Sequence, residues 1–281
     1  MKPGIYSRHE VADYAAINAV NYSSLKWLAK SPKHYKHHLA NGAKETRPMF
    51  KGTAAHIAIL EPERFALEYA IFTGKRRSGK DWREFEADAR DRGKKIITST
   101  ELDEAIAMRD AVRGDSLAAS YLAGGRHEVT VIWIDDETGL KCKGRLDFLR
   151  NDGVAVDIKT TRDATPFRFS QDAAKLQYHV QSAMYLDGVR SAAGHAERFV
   201  TLAVESAAPY DPVTYPLPEP VIEVGRDMYH SWLRRLVECR RDNRWPGIGN
   251  GFEQSLTLPT WSIPDSSDDV ELTIGGESFA M

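Results

Sequence analysis

Two acidic residues and a lysine near the middle of the chain have the spacing of a metal-dependent phosphodiesterase site. Asp157 and Lys159 lie two residues apart in a strand-like run, and Asp147 lies ten residues upstream in another. Side chains alternate between the faces of a strand, so Asp157 and Lys159 share a face. Val156 and Ile158 then point the other way, into a core. The alternative is a surface ion pair, because an Asp-x-Lys sequence on its own is common.

The three side chains can divide the work of hydrolysing a phosphodiester. Mg²⁺ typically binds one or two carboxylates together with waters and substrate phosphate, so Asp147 and Asp157 could converge on one ion. Such an ion lowers the pKa of an attacking water and neutralises developing charge. Lys159 can reach the water or the phosphate. It acts as a base only if the site lowers its pKa, and otherwise it positions the water.

Turn residues at 135–139 and 151–153 predict two successive hairpins that position these side chains. Strands are predicted over 128–134, 140–149, 154–161 and 198–204. Helices are predicted, two of them within 18–42, and others over 50–60, 81–92, 101–123, 172–188 and 218–243. The last strand follows a strand–helix–strand path, so it could pair parallel to the third strand. The fold class is therefore α/β (α+β), with a central mixed β-sheet flanked by helices.

Composition places the chain among ordinary globular proteins. It has 281 residues, 42% of them hydrophobic and 28% charged. It contains no apolar run of about 18 residues, and the N-terminus leads into polar sequence without a signal-like apolar segment. Cys142 and Cys239 are too few for a disulfide framework or a zinc cluster. A cytoplasmic location without membrane association is expected.

Charge is distributed unevenly along the chain. No Lys or Arg follows Arg244, whereas six of the 40 acidic residues do, which leaves 34 acidic against 38 basic residues before that point. We predict a single domain over 1–250 and an acidic, partly disordered tail over 251–281. The segment 264–281 is expected to be a solubilising end, and the alternative is that it docks a partner protein.

Two basic segments could contact phosphate groups. Within residues 22–38 lysines and histidines are interleaved with Tyr and Trp, and residues 74–97 contain nine basic against five acidic residues. In each case the alternative is a solvated helix surface. Between them, His56 lies in the apolar segment 50–60 after the small residues Gly52 to Ala55. Taken alone, it is more consistent with a hydrogen-bonded core histidine than with a ligand.

Four short patterns, in this order, resemble the PD-(D/E)xK nuclease superfamily, in the branch of exonuclease VIII (the RecE type) and the RecB nuclease domain. The match spans roughly residues 20–245. Each pattern is unspecific alone, but four in order are much more specific. The patterns are Gly52…His56, Gly144-Arg145-Leu146-Asp147, Asp157-Ile158-Lys159 and Gln181…Tyr185.

The resemblance implies a restriction-endonuclease-like core and assigns roles to these residues. It implies that Mg²⁺, for which Mn²⁺ can substitute, is bound by His56, Asp147, Asp157 and the carbonyl of Ile158. Lys159 becomes the catalytic lysine. Gln181 and Tyr185 join the catalytic set, either supporting the site or touching DNA. Glu128 falls where related nucleases often carry an acid. Candidate DNA-binding residues are Ser24, Arg76, Arg77, Lys80 and Arg145.

The resemblance also implies an activity. The implied activity is that of a Mg²⁺-dependent double-strand DNA exonuclease, which acts 5′→3′ on duplex ends and leaves 3′ overhangs for recombination. A homo-oligomeric ring (trimer or tetramer), a phage or prophage origin and a single-strand annealing protein as partner are implied with it. The alternatives are a single-strand-specific nuclease or an endonuclease of the same superfamily. A DNA-binding scaffold without chemistry is a further alternative, against which the intact Asp/Asp/Lys set argues.

Overall fold

A mixed β-sheet of seven strands forms the centre of Met1–Trp245, the larger of the two units into which the chain divides. The strands of this unit are, in chain order, β1 (Gly4–Tyr6), β2 (Val20–Asn21), β3 (Tyr69–Phe72), β4 (Lys95–Thr98), β5 (Gly125–Ile134), β6 (Lys141–Arg150), β7 (Ala155–Thr161), β8 (Phe199–Glu205) and β9 (Pro212–Pro216). The computed structural model describes residues 1–7, 14–259, 262, 272–274 and 277–279.

Ten helices accompany these strands in the described part of the unit. They are α1 (Tyr22–Leu25), α2 (Pro32–Asn41), α3 (Arg47–Leu60), α4 (Phe65–Glu68), α5 (Lys80–Asp91), α6 (Ser99–Gly114), α7 (Ser116–Tyr121), α8 (Pro166–Lys175), α9 (Tyr178–Ala193) and α10 (Glu219–Arg241). Single 3₁₀ turns precede α2 and α4. Within the described ranges, none of the helices combines the length and the apolar composition that a bilayer crossing requires.

The strand order of the central sheet is β1-β5-β6-β7-β8-β9, with β2 also paired to β6. The strands β5, β6 and β7 form an antiparallel meander, as the two predicted hairpins require. The strand β8 runs parallel to β7, and β9 returns antiparallel to β8. The predicted fold class, a central mixed sheet flanked by helices, is confirmed.

Each face of the sheet buries its own apolar cluster. On one face Val156 and Ile158 of β7 pack with Ala55 of α3 and Met108 of α6. On the other face Ala155 packs with residues of α9 and α10. The alternation predicted from the sequence for β7 is therefore observed, and it leaves Asp157 and Lys159 directed away from the cluster that buries Ile158.

Side-chain caps fix where the N-terminal helices begin. The Asn21 side chain accepts a hydrogen bond from the Ser24 amide at 3.3 Å, and Ser31 caps α2, whose first residue is Pro32. Helix α3 begins three residues before the predicted position because Thr46 caps it.

Two segments that were each predicted to form one continuous helix form two helices instead, so both predictions were wrong. The helix expected over 101–123 is divided between α6 and α7 at Asp115, whose side chain accepts a hydrogen bond from the Ala118 amide at 2.7 Å and so caps the second helix. The helix expected over 172–188 is divided between α8 and α9 at Gln177, which has a left-handed φ of 59°. Few non-glycine residues adopt that conformation, and it ends a helix.

The basic segment 74–97 follows β3 and extends into β4, and these two strands form a separate parallel sheet that the sequence did not predict. Helix α5 connects the two strands and matches the exposed helix predicted over 81–92. The ring of Phe72 contacts those of Trp82 and Phe85, with centroids 4.9 and 5.2 Å apart.

The smaller unit, Pro246–Met281, contains an antiparallel hairpin of β10 (Leu272–Ile274) and β11 (Glu277–Phe279). The other residues of the segment 264–281, which was expected to be a solubilising end with partner docking as the alternative, lie outside the described residues. Phe252 and Leu256 are exposed.

Candidate active site

The candidate site lies where the strands β6 and β7 part. These strands pair only at Phe148 with Val156 and Leu149 with Ala155, while the other end of β6 pairs with β2. One residue beyond the last rung, Asp147 Oδ2 accepts a hydrogen bond from the Ile158 amide at 2.6 Å. A buried amide needs an acceptor, and here a carboxylate replaces the strand backbone. We call this point of separation between β6 and β7 the fork. It brings Asp147 next to Asp157.

Helix α9 closes a three-way contact around the lysine. The Lys159 ammonium forms an ion pair with Asp157 and donates a hydrogen bond to Gln181 Oε1 at 3.1 Å. Gln181 Nε2 in turn donates to Asp157 Oδ1 at 3.3 Å. The glutamine therefore fixes the positions of both charged groups.

Helix α3 brings an imidazole to the other carboxylate. His56 Nδ1 lies 3.4 Å from Asp147 Oδ2. One turn earlier, a Cβ on Gly52 would lie 3.3 Å from Thr160 Oγ1, which is tighter than most Cβ contacts. The glycine lets α3 approach β7 closely, and this explains why the Gly-xxx-His spacing places the histidine over the fork.

A second glycine makes room for the tyrosine of the fourth pattern. A Cβ on Gly144 would lie 2.9 Å from the Tyr185 ring, and Tyr185 is only 8% exposed. Burial raises the pKa of Tyr185 well above its ordinary value. The structure therefore places Tyr185 in the core, packed on the backbone of β6. In this position it supports the strand that carries Asp147.

The pKa shifts of the four charged groups follow from burial and from one another. Burial, together with the charge of Asp147, raises the pKa of Asp157 despite the attraction of Lys159. Burial also acts to raise the pKa of Asp147, but the attraction of His56 and Lys159 outweighs it, and the pKa of Asp147 is lowered. Burial alone would lower the pKa of His56, and Asp147 raises it overall.

The lysine stays protonated. Burial acts to lower the pKa of Lys159, but the attraction of Asp157 and Asp147 outweighs it, and the pKa is raised. Of the two roles that the sequence left open for Lys159, the contacts with Asp157 and Gln181 support positioning through an ammonium charge.

The donor set fits a hard divalent cation. Two carboxylates buried beside each other repel and favour a cation between or beside them, and carboxylate oxygens are the ligands that Mg²⁺ prefers. Across the described residues, no group of three or more His, Cys, Asp or Glu side chains is arranged to hold a metal ion, and the Asp157 carboxylate forms an ion pair with Lys159. Ile158 borders the site with its backbone alone, since its side chain is fully buried.

Two further predicted residues lie on the strands beside Asp147. Glu128 stands opposite Asp147 in the β5–β6 ladder, at a position where the paired register is interrupted, and its φ of 51° is unusual for a glutamate. Arg145 Nε donates a hydrogen bond to Thr130 Oγ1 at 3.2 Å, and its guanidinium lies 4.6 Å from the Tyr14 ring centroid.

The remaining predicted DNA-binding residues lie elsewhere. Ser24 lines a separate pocket of about 280 Å³ with Lys141 and Arg240. Arg76 lines a pocket beside Trp82, Arg77 donates to Glu101 at 2.9 Å, and the side chain of Lys80 is 82% exposed. Within the described part of the chain, none of the four forms a hydrogen bond or ion pair with the residues of the fork.

Three groups near the lysine were not among the predicted site residues, although two of them, Tyr22 and Lys26, belong to the basic segment within residues 22–38. The Tyr178 ring centroid lies 4.8 Å from Lys159 Nζ. The Tyr22 hydroxyl donates hydrogen bonds to the Gln177 and Leu176 carbonyls, and Lys26 Nζ lies over the Tyr22 ring. For Tyr178 the signal was its position three residues before Gln181 on one helix, which places both side chains on the same face.

Comparisons with known proteins agree with this architecture. Residues 21–253 match a family described as PDDEXK-like domain of unknown function (DUF3799). A solved structure from Eubacterium rectale, described provisionally as an exonuclease, aligns with a TM-score of 0.62 at 13% identity, over 91% of this chain and 98% of that one. At this identity the likeness shows the fold alone.

A second solved structure, SSO0001, aligns with a TM-score of only 0.28 at 16% identity, over 73% of this chain and 84% of that one. A comparison with curated proteins found no match. The predicted relation to the PD-(D/E)xK superfamily is confirmed by the family match, which covers the fork, both helices around it and the lysine. The chain belongs to the family of PDDEXK-like domains described as DUF3799.

Proposed function

We propose that this chain is a divalent-metal-dependent nuclease that hydrolyses phosphodiester bonds in DNA. The observation that carries the proposal is the contact network in the fork, where Asp147, Asp157 and Lys159 meet with His56 and Gln181. Membership of a PDDEXK-like family supports the same class of chemistry, and so does the shared fold of the Eubacterium rectale protein.

The residues of the fork would divide the chemistry as follows. His56, Asp147, Asp157 and the carbonyl of Ile158 would hold the cation, which when bound supplies positive charge to the phosphate and lowers the pKa of the attacking water. Lys159 keeps its proton and places an ammonium charge beside the reacting phosphate, where negative charge grows in the transition state.

Gln181 acts through the two groups that it holds. Its amide nitrogen donates to Asp157 and its amide oxygen accepts from Lys159, so it keeps the acid and the lysine in fixed relative positions. Holding catalytic groups in the reactive geometry lowers the activation barrier of the chemical step.

The finer activity rests on the resemblance to exonuclease VIII. It comprises Mg²⁺ as the natural cation with Mn²⁺ able to substitute, and 5′→3′ digestion of duplex ends to 3′ overhangs. The same resemblance supports a ring-shaped homo-oligomer of three or four copies. It also supports a single-strand annealing protein as the partner. Light scattering on the purified chain tests the ring, and a mass of one copy would contradict it.

A comparison of substrates tests the activity. Linear duplex, covalently closed circular duplex and single-stranded DNA are each incubated with Mg²⁺, Mn²⁺ or EDTA. We expect digestion of the linear duplex with either metal and none with EDTA, while the closed circle stays intact. Cleavage of the closed circle would show an endonuclease, and cleavage of single strands alone would show a single-strand-specific nuclease.

A further inference from the structure

A cleft of about 600 Å³ lies near the candidate site and is lined by two neighbours of the candidate catalytic lysine, Thr160 and Tyr178. One wall is the face of α3 that carries Pro48 and Gly52, and the next residue along this face is His56. Thr160, which follows Lys159, and Tyr178 of α9 complete the inner end. The five side chains that meet in the fork are not among the residues that line the cleft. The cleft adjoins the fork through Thr160 and through Tyr178, whose ring centroid lies 4.8 Å from Lys159 Nζ.

Cationic side chains lie along this cleft. Arg47, Lys51 and Arg162 line it, together with the acidic residues Glu104 and Asp172. Arg47 and Lys51 are each held by a carboxylate of α6, with 2.6 Å between Arg47 Nε and Glu101 Oε1 and 2.6 Å between Lys51 Nζ and Glu104 Oε2. Within the described residues, the exposed Arg162 makes no ion pair or side-chain hydrogen bond.

A further arginine adds to this positive charge. Glu101 binds Arg77 as well as Arg47, so one carboxylate holds two guanidinium groups. A guanidinium has five N–H donors in one plane, and their geometry matches that of phosphate oxygens. Arg47 therefore keeps donors that Glu101 does not use.

The inner wall of the cleft is aromatic. Tyr178 is half-buried and lines the cleft. Behind it lies the buried Phe169, whose ring centroid is 6.1 Å from that of Tyr178 and 4.9 Å from that of Tyr215. Phe169 therefore contacts both tyrosine rings, and the Tyr178 ring also contacts Lys159, with 4.8 Å between its centroid and Nζ.

We propose that this cleft binds one unpaired DNA strand beside the scissile phosphate, with a base against Tyr178 and the backbone along Arg162 and Arg47. Aromatic faces for bases beside cations for phosphates are the two elements that bind single strands. The volume lies in the range of about 300–1,000 Å³ typical of small-molecule sites, which is enough for individual nucleotides of one strand. This inference rests on the proposed function, because it assigns the substrate strand of that same site.

Binding without turnover tests the inference. Fluorescence anisotropy of a labelled oligodeoxythymidine is measured with the full chain in EDTA, so that cleavage plays no part. We expect Tyr178→Leu to weaken binding at least about fivefold through lost stacking. Arg162→Gln should weaken it as well and should reduce the slope of log affinity against log salt by about 0.7.

Matched variants on α8 serve as controls. Phe167 and Arg168 are exposed and do not line the cleft, so Phe167→Leu and Arg168→Gln should bind the oligonucleotide as the wild type does. Tyr178→Phe keeps the ring and should also retain wild-type affinity. Wild-type affinity in both Tyr178→Leu and Arg162→Gln would overturn the inference, as would equal losses in the two α8 controls.

The two proposals can fail separately. If the wild-type chain binds the oligonucleotide through the cleft but digests no DNA with Mg²⁺ or Mn²⁺, the proposed function fails and the strand-binding assignment stands. If the chain digests DNA and the cleft variants bind single strands normally, the strand-binding assignment fails and the proposed function stands.

Discussion

At the scale of single residues, Asp157 combines a chemical role with a cost in stability. Because its pKa is raised in the folded chain, the ionised carboxylate is less favourable there than in the unfolded chain. We expect Asp157→Asn to raise the metal-free unfolding midpoint at pH 7, by about 2–4 °C for each kcal/mol gained. Activity should fall at least about a hundredfold. Calorimetry and a digestion assay measure the two effects.

The stability effect has a definite pH dependence. The raised pKa lowers stability as pH rises through its folded value, and the penalty is absent below the ordinary pKa of 3.8, where the carboxyl is protonated in both states. The gain from Asp157→Asn should therefore disappear in acid. A lower midpoint for this variant at pH 7 would show that the ion pair with Lys159 outweighs the cost of burial.

Gly144 offers a second test at this scale. A methyl group there would meet the Tyr185 ring at 2.9 Å, so Gly144→Ala should lower the free energy of unfolding by about 1–3 kcal/mol. Gly114 ends α6 with open space around its Cβ position, and Gly114→Ala is the matched control, expected to be neutral or slightly stabilising. Urea denaturation measures both, and equal effects would contradict the packing role of Tyr185.

At the scale of elements, Glu101 joins three of them. Its carboxylate accepts from Thr98 in the capping box of α6 and binds Arg47 of α3 and Arg77 of the basic segment. Although burial opposes it, these hydrogen bonds lower the pKa of Glu101 to about 2. The carboxylate therefore stabilises the fold fully above pH 4.5, and this contribution is lost as pH falls toward about 2.

Glu101→Gln should therefore destabilise the chain by about 2 kcal/mol at pH 7, from the loss of charged hydrogen bonds. The difference from the wild type should shrink as the pH is lowered below 4.5. Denaturant titrations at several pH values measure it. Glu104→Gln, which removes a partly exposed pair with Lys51, is the control and should cost less than about 1 kcal/mol. A difference that is constant with pH would contradict the role assigned to Glu101.

The elements that carry the site were predictable, and those that complete the sheet were not. Hairpin residues and alternating apolar residues define β5, β6 and β7 locally. In contrast, β1 and β2 have only three and two residues, and β1 pairs with residues far along the chain, such as Ile5 with Val131. The break at Gln177 also has a distant cause, since the Tyr22 hydroxyl binds the Leu176 and Gln177 carbonyls.

The same limit applies to the site. The spacing of Asp147, Asp157 and Lys159 on two strands predicts that they converge, because strand geometry is regular. The protonation of Lys159 and the burial of Tyr185 were not predictable, since both depend on which groups surround them in the folded chain.

At the scale of the whole molecule, the larger unit, Met1–Trp245, contains the fork, the cleft and all the elements around them. We therefore expect a chain truncated after residue 250 to keep both the unfolding midpoint and the DNA-digesting activity of the full chain. Calorimetry and the digestion assay measure this. A lower midpoint, or a loss of digestion, would show that residues 251–281 contribute to the folded domain.

The central claim is that the fork between β6 and β7 is a metal-dependent nuclease site. The most direct test is digestion of a linear duplex labelled at one 5′ end, by the wild-type chain and by Asp157→Asn, with Mg²⁺ and with EDTA. We predict release of label by the wild type with Mg²⁺ only, and none by the variant. An intact wild-type reaction with Mg²⁺ or Mn²⁺, or digestion by Asp157→Asn at the wild-type rate, would contradict the claim.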